Sequence, residues 1–170
     1  MTAFVALLRA VNVGGTGKLA MTDLKGICEA VGFAKVRTYI ASGNVIFASP
    51  WPEARVKAAL EASLAAHAGK PVAVIVRTAA EMAALLARNP FPDRAANRTV
   101  AIFLDEPPPA DALDALAGRN GEDIQLGVRE IWVHYGAGMA DSRLRIPAAR
   151  AGTARNVNTV AKLAEMASKL

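Results

Sequence analysis

The segment Asn12-Val13-Gly14-Gly15-Thr16-Gly17-Lys18 has the residue types of a phosphate-contacting loop. Glycines let backbone N–H groups converge on an anion, and the start of a following helix favours negative charge. Asn12, Gly14, Gly15 and Lys18 are the residues that would make such contacts. Neither nucleotide signature is met. Asn12 stands where G-x-x-x-x-G-K-[ST] needs its first Gly, Leu19 stands where it needs Ser or Thr, and G-x-G-x-x-G also fails. A tight turn is the competing reading. A second constellation lies near the end of the chain. On a helix running from about Asn156 to Lys169, residues Arg155, Asn158, Thr159 and Lys162 fall at spacings 0, 3, 4 and 7. They would form one polar stripe starting at a helix N-terminus, with cations, amide and hydroxyl donors, and unpaired N–H groups. Ser142 and Arg143 are expected close by. Competing readings are a cap supplied by Thr153 or Asn156 above a solvated face, and an Arg155 buried against backbone carbonyls as a clamp.

No catalytic constellation stands beside these. Cys28 lies on the apolar stripe of a helix, which marks it as inert core. His67 sits near a helix C-terminus, where its cation suits the dipole. His134 alternates with apolar neighbours in a strand and reads as structural. Asp105, Glu106, Asp111, Asp114, Glu122 and Asp123 fall at helix starts and turns, where capping and solvation explain them. Without a Ser, Cys or carboxylate partner set by spacing, no triad can be drawn. One Cys and two His leave too few ligands for a Cys/His zinc site, and no cofactor is indicated.

The elements that must position these groups follow from periodicity. Ala3–Val11 is an apolar run of strand length. Leu24, Ile27, Cys28 and Val31 mark a helix with Thr22 as cap and Gly32 as its end. Val36–Ile40 and Asn44–Phe47 are strand-like around Ser42-Gly43. A helix runs from Pro52 to about Ala68, and Val72–Val76 is a strand. Strand, helix, strand, strand, helix, strand is the split β-α-β unit of the ferredoxin-like fold, with antiparallel sheet order 4-1-3-2. The strands do not alternate apolar with polar, so both sheet faces should be covered. With strands one and three taken as parallel, the Gly-rich loop and the Ser42-Gly43 turn should lie at opposite ends of the sheet, and Arg77 should lie nearer that turn than Lys18 does.

The second half repeats much of this order. A helix capped by Thr78 covers Ala79–Arg88, Thr99–Leu104 is a strand, and a helix runs from Pro107–Pro109 to Ala117. Ile124–Val128 and Ile131–Tyr135 are strands, and the last helix follows without a visible final strand. The expected fold is therefore α+β, with two ferredoxin-like halves bearing antiparallel sheets, the second incomplete. The halves are 1–77 and 78–170, in one compact unit.

Composition narrows the class. The 170 residues are 53% hydrophobic and 21% charged, which excludes intrinsic disorder. No run reaches the roughly 20 apolar residues of a membrane helix. The start of the chain lacks the basic residues of a signal peptide, so a cytoplasmic location is expected. Net charge is +5, with +3 on residues 1–50, −2 on 51–135 and +4 on 136–170. Arg143, Arg145, Arg150 and Arg155 come with no acid between them.

Three ordered blocks carry a resemblance. Ala6-Leu7-Leu8-Arg9-Ala10-Val11-Asn12-Val13-Gly14-Gly15 is similar to the opening L-L-R-G-I-N-V-G-G of the bacterial family called domain of unknown function 1697. Thr38-Tyr39-Ile40-Ala41-Ser42-Gly43-Asn44-Val45-Ile46-Phe47 resembles its T-Y-I-x-S-G-N-V-x-F. Thr153 to Leu163 resembles its T-x-R-N-W-N-T-V-x-K-L. Ala10 stands for the usual Gly and Val157 for the usual Trp, and the stretch between Ser142 and Thr153 is shorter than in many members. The resemblance implies paired ferredoxin-like subdomains and no activity. The function expected from the residues is binding of a phosphorylated small molecule or nucleotide through the Gly-rich loop and the start of the last helix. The alternative is nucleic-acid binding through the basic ends, for which Phe4 and Phe47 are the available stacking residues. An enzyme acting on a phosphorylated substrate is a third reading with no base or nucleophile to name.

Overall fold

The structure is a computed structural model, and it describes residues 1–12, 18–136 and 138–170. Apolar runs become central strands. β1 (Thr2–Leu8) and β3 (Asn44–Ser49) are buried over nearly their whole length, while β2 (Ala34–Thr38), at the edge, exposes Lys35 and Arg37. With β4 (Val74–Thr78) they form an antiparallel sheet of order β2-β3-β1-β4, which is 4-1-3-2 read from the other edge.

α1 (Met21–Val31) starts one residue before Thr22, with no side-chain cap, and ends on Gly32 at φ 107. That left-handed conformation favours Gly at the end of a helix. α2 (Glu53–Ala68) follows Pro52, a residue whose fixed φ suits a helix start. Both helices cover one face of the sheet. Leu24 and Cys28 of α1, and Val56, Leu60 and Leu64 of α2, pack with Phe4, Ala6, Leu8, Phe47 and Val76. On the opposite face Val5, Leu7, Ile46 and Ile75 are buried as well. Non-alternating strands thus have both faces shielded from water, as their pattern requires.

α3 (Ala79–Ala87) begins with a reciprocal cap: the Glu81 amide donates to Thr78 Oγ1, and the Thr78 amide donates to Glu81 Oε1. β5 (Thr99–Phe103), β6 (Asp123–Leu126), β7 (Glu130–His134) and β8 (Thr153–Asn156) form a second antiparallel sheet of order β6-β7-β5-β8. This corrects the expectation of an incomplete second half. β8 has only four residues and runs without a turn into α4 (Val157–Ser168), so no punctuation separates strand from helix in the sequence.

The helix expected between Pro107 and Ala117 is a single 3-10 turn, Ala112–Ala115. Three consecutive prolines hold the chain extended before it, and what remains is too short for a cooperative α-helix. Val100, Ile102, Ile131 and Val133 make the core on one face of this sheet, with Ile146 and Leu144 from the long connection to β8. The fold class is α+β, with four α-helices and two four-stranded antiparallel sheets among the described residues. The chain divides into two units: Met1–Ala84 with Lys162–Leu170, and Leu85–Ala161.

Candidate functional site

At the C-terminal end of β1 the backbone leaves ordinary conformational space. Ala10 has φ 57, Asn12 has φ 54, and Ile40, in the β2–β3 connection, has φ 52. Such values are uncommon for any residue with a side chain and a clear outlier for a β-branched one. Asn12 uses its whole amide group. Nδ2 donates to Leu19 O and to Ala41 O, each at 2.8 Å, and Oδ1 accepts from the Leu19 amide at 2.8 Å. It therefore ties together the two ends of the Gly-rich segment and anchors them to the β2–β3 turn. Gly14 and Gly15, expected to contact an anion, lie outside the described residues.

The β2–β3 turn is built to meet this point. The Leu8 amide donates to Gly43 O at 2.8 Å, and buried Asn44 donates from Nδ2 to Tyr39 O and Ser42 Oγ. A Cβ on Gly43 would stand 2.5 Å from Val11 Cγ2, so only Gly fits. The expectation that the Gly-rich loop and the Ser42-Gly43 turn occupy opposite ends is overturned. β1 pairs antiparallel with β3, with Leu7 opposite Asn44, so the end of β1 meets the start of β3. Arg77 lies opposite Val5, on the way to the other end of the sheet.

The link from α2 to β4 returns to the same end, where the Arg9 amide donates to Ala73 O at 2.9 Å. A cleft of about 670 Å³ opens there. Its lining includes Arg9 and Lys18 from the chain after β1, and His67 and Lys70 from the end of α2 and the link beyond it. All four are exposed, and among the described residues lining the cleft none is acidic. Val11, Leu19 and Leu64 are buried and supply an apolar floor.

The second expected cluster is not brought together. Arg155 belongs to β8 rather than to the helix, so the helical spacing that placed it on a stripe does not apply. It is 7% exposed, and its Nη1 donates to Thr153 Oγ1 at 2.6 Å and to Ala154 O at 3.0 Å. Burial lowers its guanidinium to about 10, which leaves it charged at neutral pH. Asn156 caps α4, its Oδ1 accepting from the Thr159 amide at 2.9 Å. Thr159 is buried, and only Asn158 and Lys162 are exposed, the latter 3.9 Å from Glu165. Ser142 donates to Glu122 Oε2 at 2.8 Å, just before β6. β6 and β8 are opposite edges of the sheet, three strand spacings or roughly 14 Å apart. Arg143 is exposed beside that β6 anchor.

Other titratable groups are structural. Burial pushes the Cys28 thiol up to about 12, which removes it as a nucleophile. Thr99 Oγ1 donates to Ala95 O and so accepts from His134 Nδ1 at 2.9 Å, while desolvation lowers the buried imidazole's pKa. Glu130, 1% exposed, receives Arg88 Nη2 at 3.0 Å and the amides of Val128 and Arg129. Among the described residues no group of His, Cys, Asp and Glu could hold a metal ion, and no helix is long and apolar enough to cross a membrane.

The family model described as protein of unknown function (DUF1697) matches residues 1–132. The chain belongs to that family. The first two sequence blocks fall inside the match, and they are the segments that Asn12, Gly43 and Asn44 join at the end of β1. A conserved bacterial protein, SP0830 from Streptococcus pneumoniae, has a similar solved structure, with 26% identity, 98% of each chain covered and a TM-score of 0.81. No curated protein matches the chain.

Within this family frame, Arg9, His67 and Lys70 are the cleft residues that the sequence reading did not assemble. Arg9 sits inside the first block. Lys70 and His67 carry no motif. Their signal is topological: β4 runs antiparallel to β1, so the link before β4 must return to the end of β1.

Proposed function

We propose that this family member binds a small phosphorylated molecule in the cleft at the C-terminal end of β1. One observation carries the reading: Arg9, Lys18, His67 and Lys70 share a cleft in which no described lining residue is acidic. The C-terminus of α2 contributes about half a negative charge, which Lys70 offsets at short range. Lys18 adds a further exposed cation to the same cleft, and an anion beside it would meet that charge. Clefts of about 300–1,000 Å³ are the usual size for small-molecule sites. The concentration of positive-φ residues at this end supports the reading, because backbone strain collects at sites that need a fixed shape.

The test is thermal denaturation of the wild type and Lys18→Ala across phosphate esters and inorganic phosphate. A ligand at 100 times its dissociation constant stabilises the native state by about 2.7 kcal/mol. The wild type should show such a shift. Lys18→Ala should melt normally without ligand, because Lys18 is exposed, and should lose most of the ligand response. Equal responses in both proteins would reject the site.

A further inference from the structure

We propose a second binding site, separate from the cleft at the end of β1, that takes a small organic acid: a carboxylate joined to a compact apolar body. The site is a cleft of about 470 Å³ in the second unit. That volume falls in the range of small-molecule sites. Its lining includes Tyr135, just after β7, with Arg145 and Arg150 from the connection to β8. Both arginines are exposed and Tyr135 is half-buried. Backbone bonds fix the frame. The Tyr135 amide donates to Arg98 O at 2.9 Å. Ala117 and Arg145 exchange both of their backbone hydrogen bonds, at 3.1 and 2.7 Å, and a 3-10 turn over Pro147–Ala149 follows.

Two polar side chains of this cleft are uncommitted. Among the described residues neither the Arg145 guanidinium nor the Tyr135 hydroxyl has a hydrogen-bond or ion-pair partner. A guanidinium presents a planar pair of N–H donors that matches the two oxygens of a carboxylate. Burial and the Glu122 carboxylate push the Tyr135 phenol above its ordinary range, so at neutral pH it keeps its proton and donates. The Glu122 charge that acts on Tyr135 opposes a dianion more strongly than a monoanion, which favours a carboxylate over a phosphate ester. Leu144, Pro147 and Ala149 are partly or wholly exposed and give hydrocarbon that the body of the acid covers.

Nitrogen-15 NMR titration of the full chain with benzoate, isovalerate, acetate, benzyl alcohol and phenyl phosphate tests this. Benzoate or isovalerate should shift the amides of Tyr135, Leu144 and Arg145. It should bind at least about tenfold more tightly than acetate, on the scale of a few carbons leaving water. Benzyl alcohol, lacking the anion, should leave those amides unmoved, and phenyl phosphate should act on them more weakly than the acids. Arg145→Ala should weaken the acids at least about tenfold, the scale of a hydrogen bond to a charged group. Arg145→Lys should recover only part of that loss, because an ammonium lacks the planar fork. Tyr135→Phe should weaken binding by roughly threefold or more. Melting curves confirm that the variants are folded. Lys18→Ala, in the other cleft, should bind the acids like the wild type, so the two sites stand or fall separately. The proposal is overturned if neither acid moves these amides, or if Arg145→Ala binds the acids like the wild type. It is also overturned if acetate, benzyl alcohol or phenyl phosphate acts on these amides at as low a concentration as the acids do.

Discussion

Ala10 holds a left-handed backbone, φ 57, at a position where the family's opening block has Gly. A side chain there costs about 1–2 kcal/mol, and Gly gives back about 0.4–1 kcal/mol through the entropy of the unfolded chain. Ala10→Gly should therefore stabilise the protein by up to about 1 kcal/mol. A denaturant midpoint that falls instead would show that the Ala10 methyl group packs usefully. Two positions on, Asn12 makes three hydrogen bonds with one amide, and its φ of 54 is one that Asn tolerates better than most residues. Asn12→Ala should lower stability by about 1–3 kcal/mol. Asn12→Asp keeps an acceptor for the Leu19 amide but sets a carboxylate oxygen against the Leu19 and Ala41 carbonyls, so it should be no more stable than Asn12→Ala. Thermal melts of the three proteins check that order, and a wild-type melt for Asn12→Ala would remove Asn12 as the tie between the loop and the turn.

At the scale of elements, the two halves end alike. Arg77 on β4 and Arg155 on β8 are both buried, both donate Nη1 to the carbonyl of the preceding residue, and both precede a capping residue, Thr78 or Asn156. A strand that passes directly into a helix thus carries the same Arg-cap pair twice. Arg155→Ala should destabilise by about 1.5–3 kcal/mol, the scale of hydrogen bonds to a charged group. Arg155→Lys should not rescue it fully, because an ammonium lacks the planar fork. A variant that melts like the wild type would return Arg155 to consideration as a ligand contact.

Glu122 plays a comparable role for the loop after β7. The Asn120 amide, the Ser142 hydroxyl and Arg119 hold its carboxyl below the usual glutamate range. A depressed folded pKa contributes stability above the unfolded value, about 4.3, and loses it as pH falls through the folded one. Glu122→Gln should therefore narrow its stability gap to the wild type as pH drops from 7 to about 3, over the window set by that carboxyl. Chemical denaturation at both pH values measures it, and a gap of constant size would assign the effect to packing alone.

For the whole molecule, charge decides what kind of anion is plausible. The net charge is +5, and residues 136–170 carry +4. Of the four arginines in that region, Arg143, Arg145 and Arg150 are exposed while Arg155 is buried. The aromatic residues that could have stacked bases are also withdrawn, since Phe4 and Phe47 lie in the core beneath α1 and α2. Exposed cations, with Phe4 and Phe47 withdrawn from any base, give weak, salt-sensitive nucleic-acid binding. Oligonucleotide affinity at about 0.15 M salt should be negligible beside that for a small phosphate ester, whose salt dependence should be shallow compared with a slope of about −0.9 per phosphate on duplex DNA. Tight, sequence-selective RNA binding at that salt would reverse the ranking.

Periodicity and turn residues in the sequence were enough for the α+β class, the order of elements through β4, the caps at Thr78 and Gly32, and the inert core position of Cys28. These are local properties, set by residues within a few positions of one another. β8 escaped notice because four residues joined to a helix give no period of their own, and only pairing with β5 makes them a strand. The α-helix expected before Ala117 was lost to three prolines and a short remainder. The cleft depended on strand direction. Arg9, Lys18, His67 and Lys70 are spread over more than sixty positions, and they meet because antiparallel pairing brings the end of β1, the start of β3 and the approach to β4 to one end of the sheet. No local pattern encodes that meeting, since burial of both sheet faces and long-range hydrogen bonding select it.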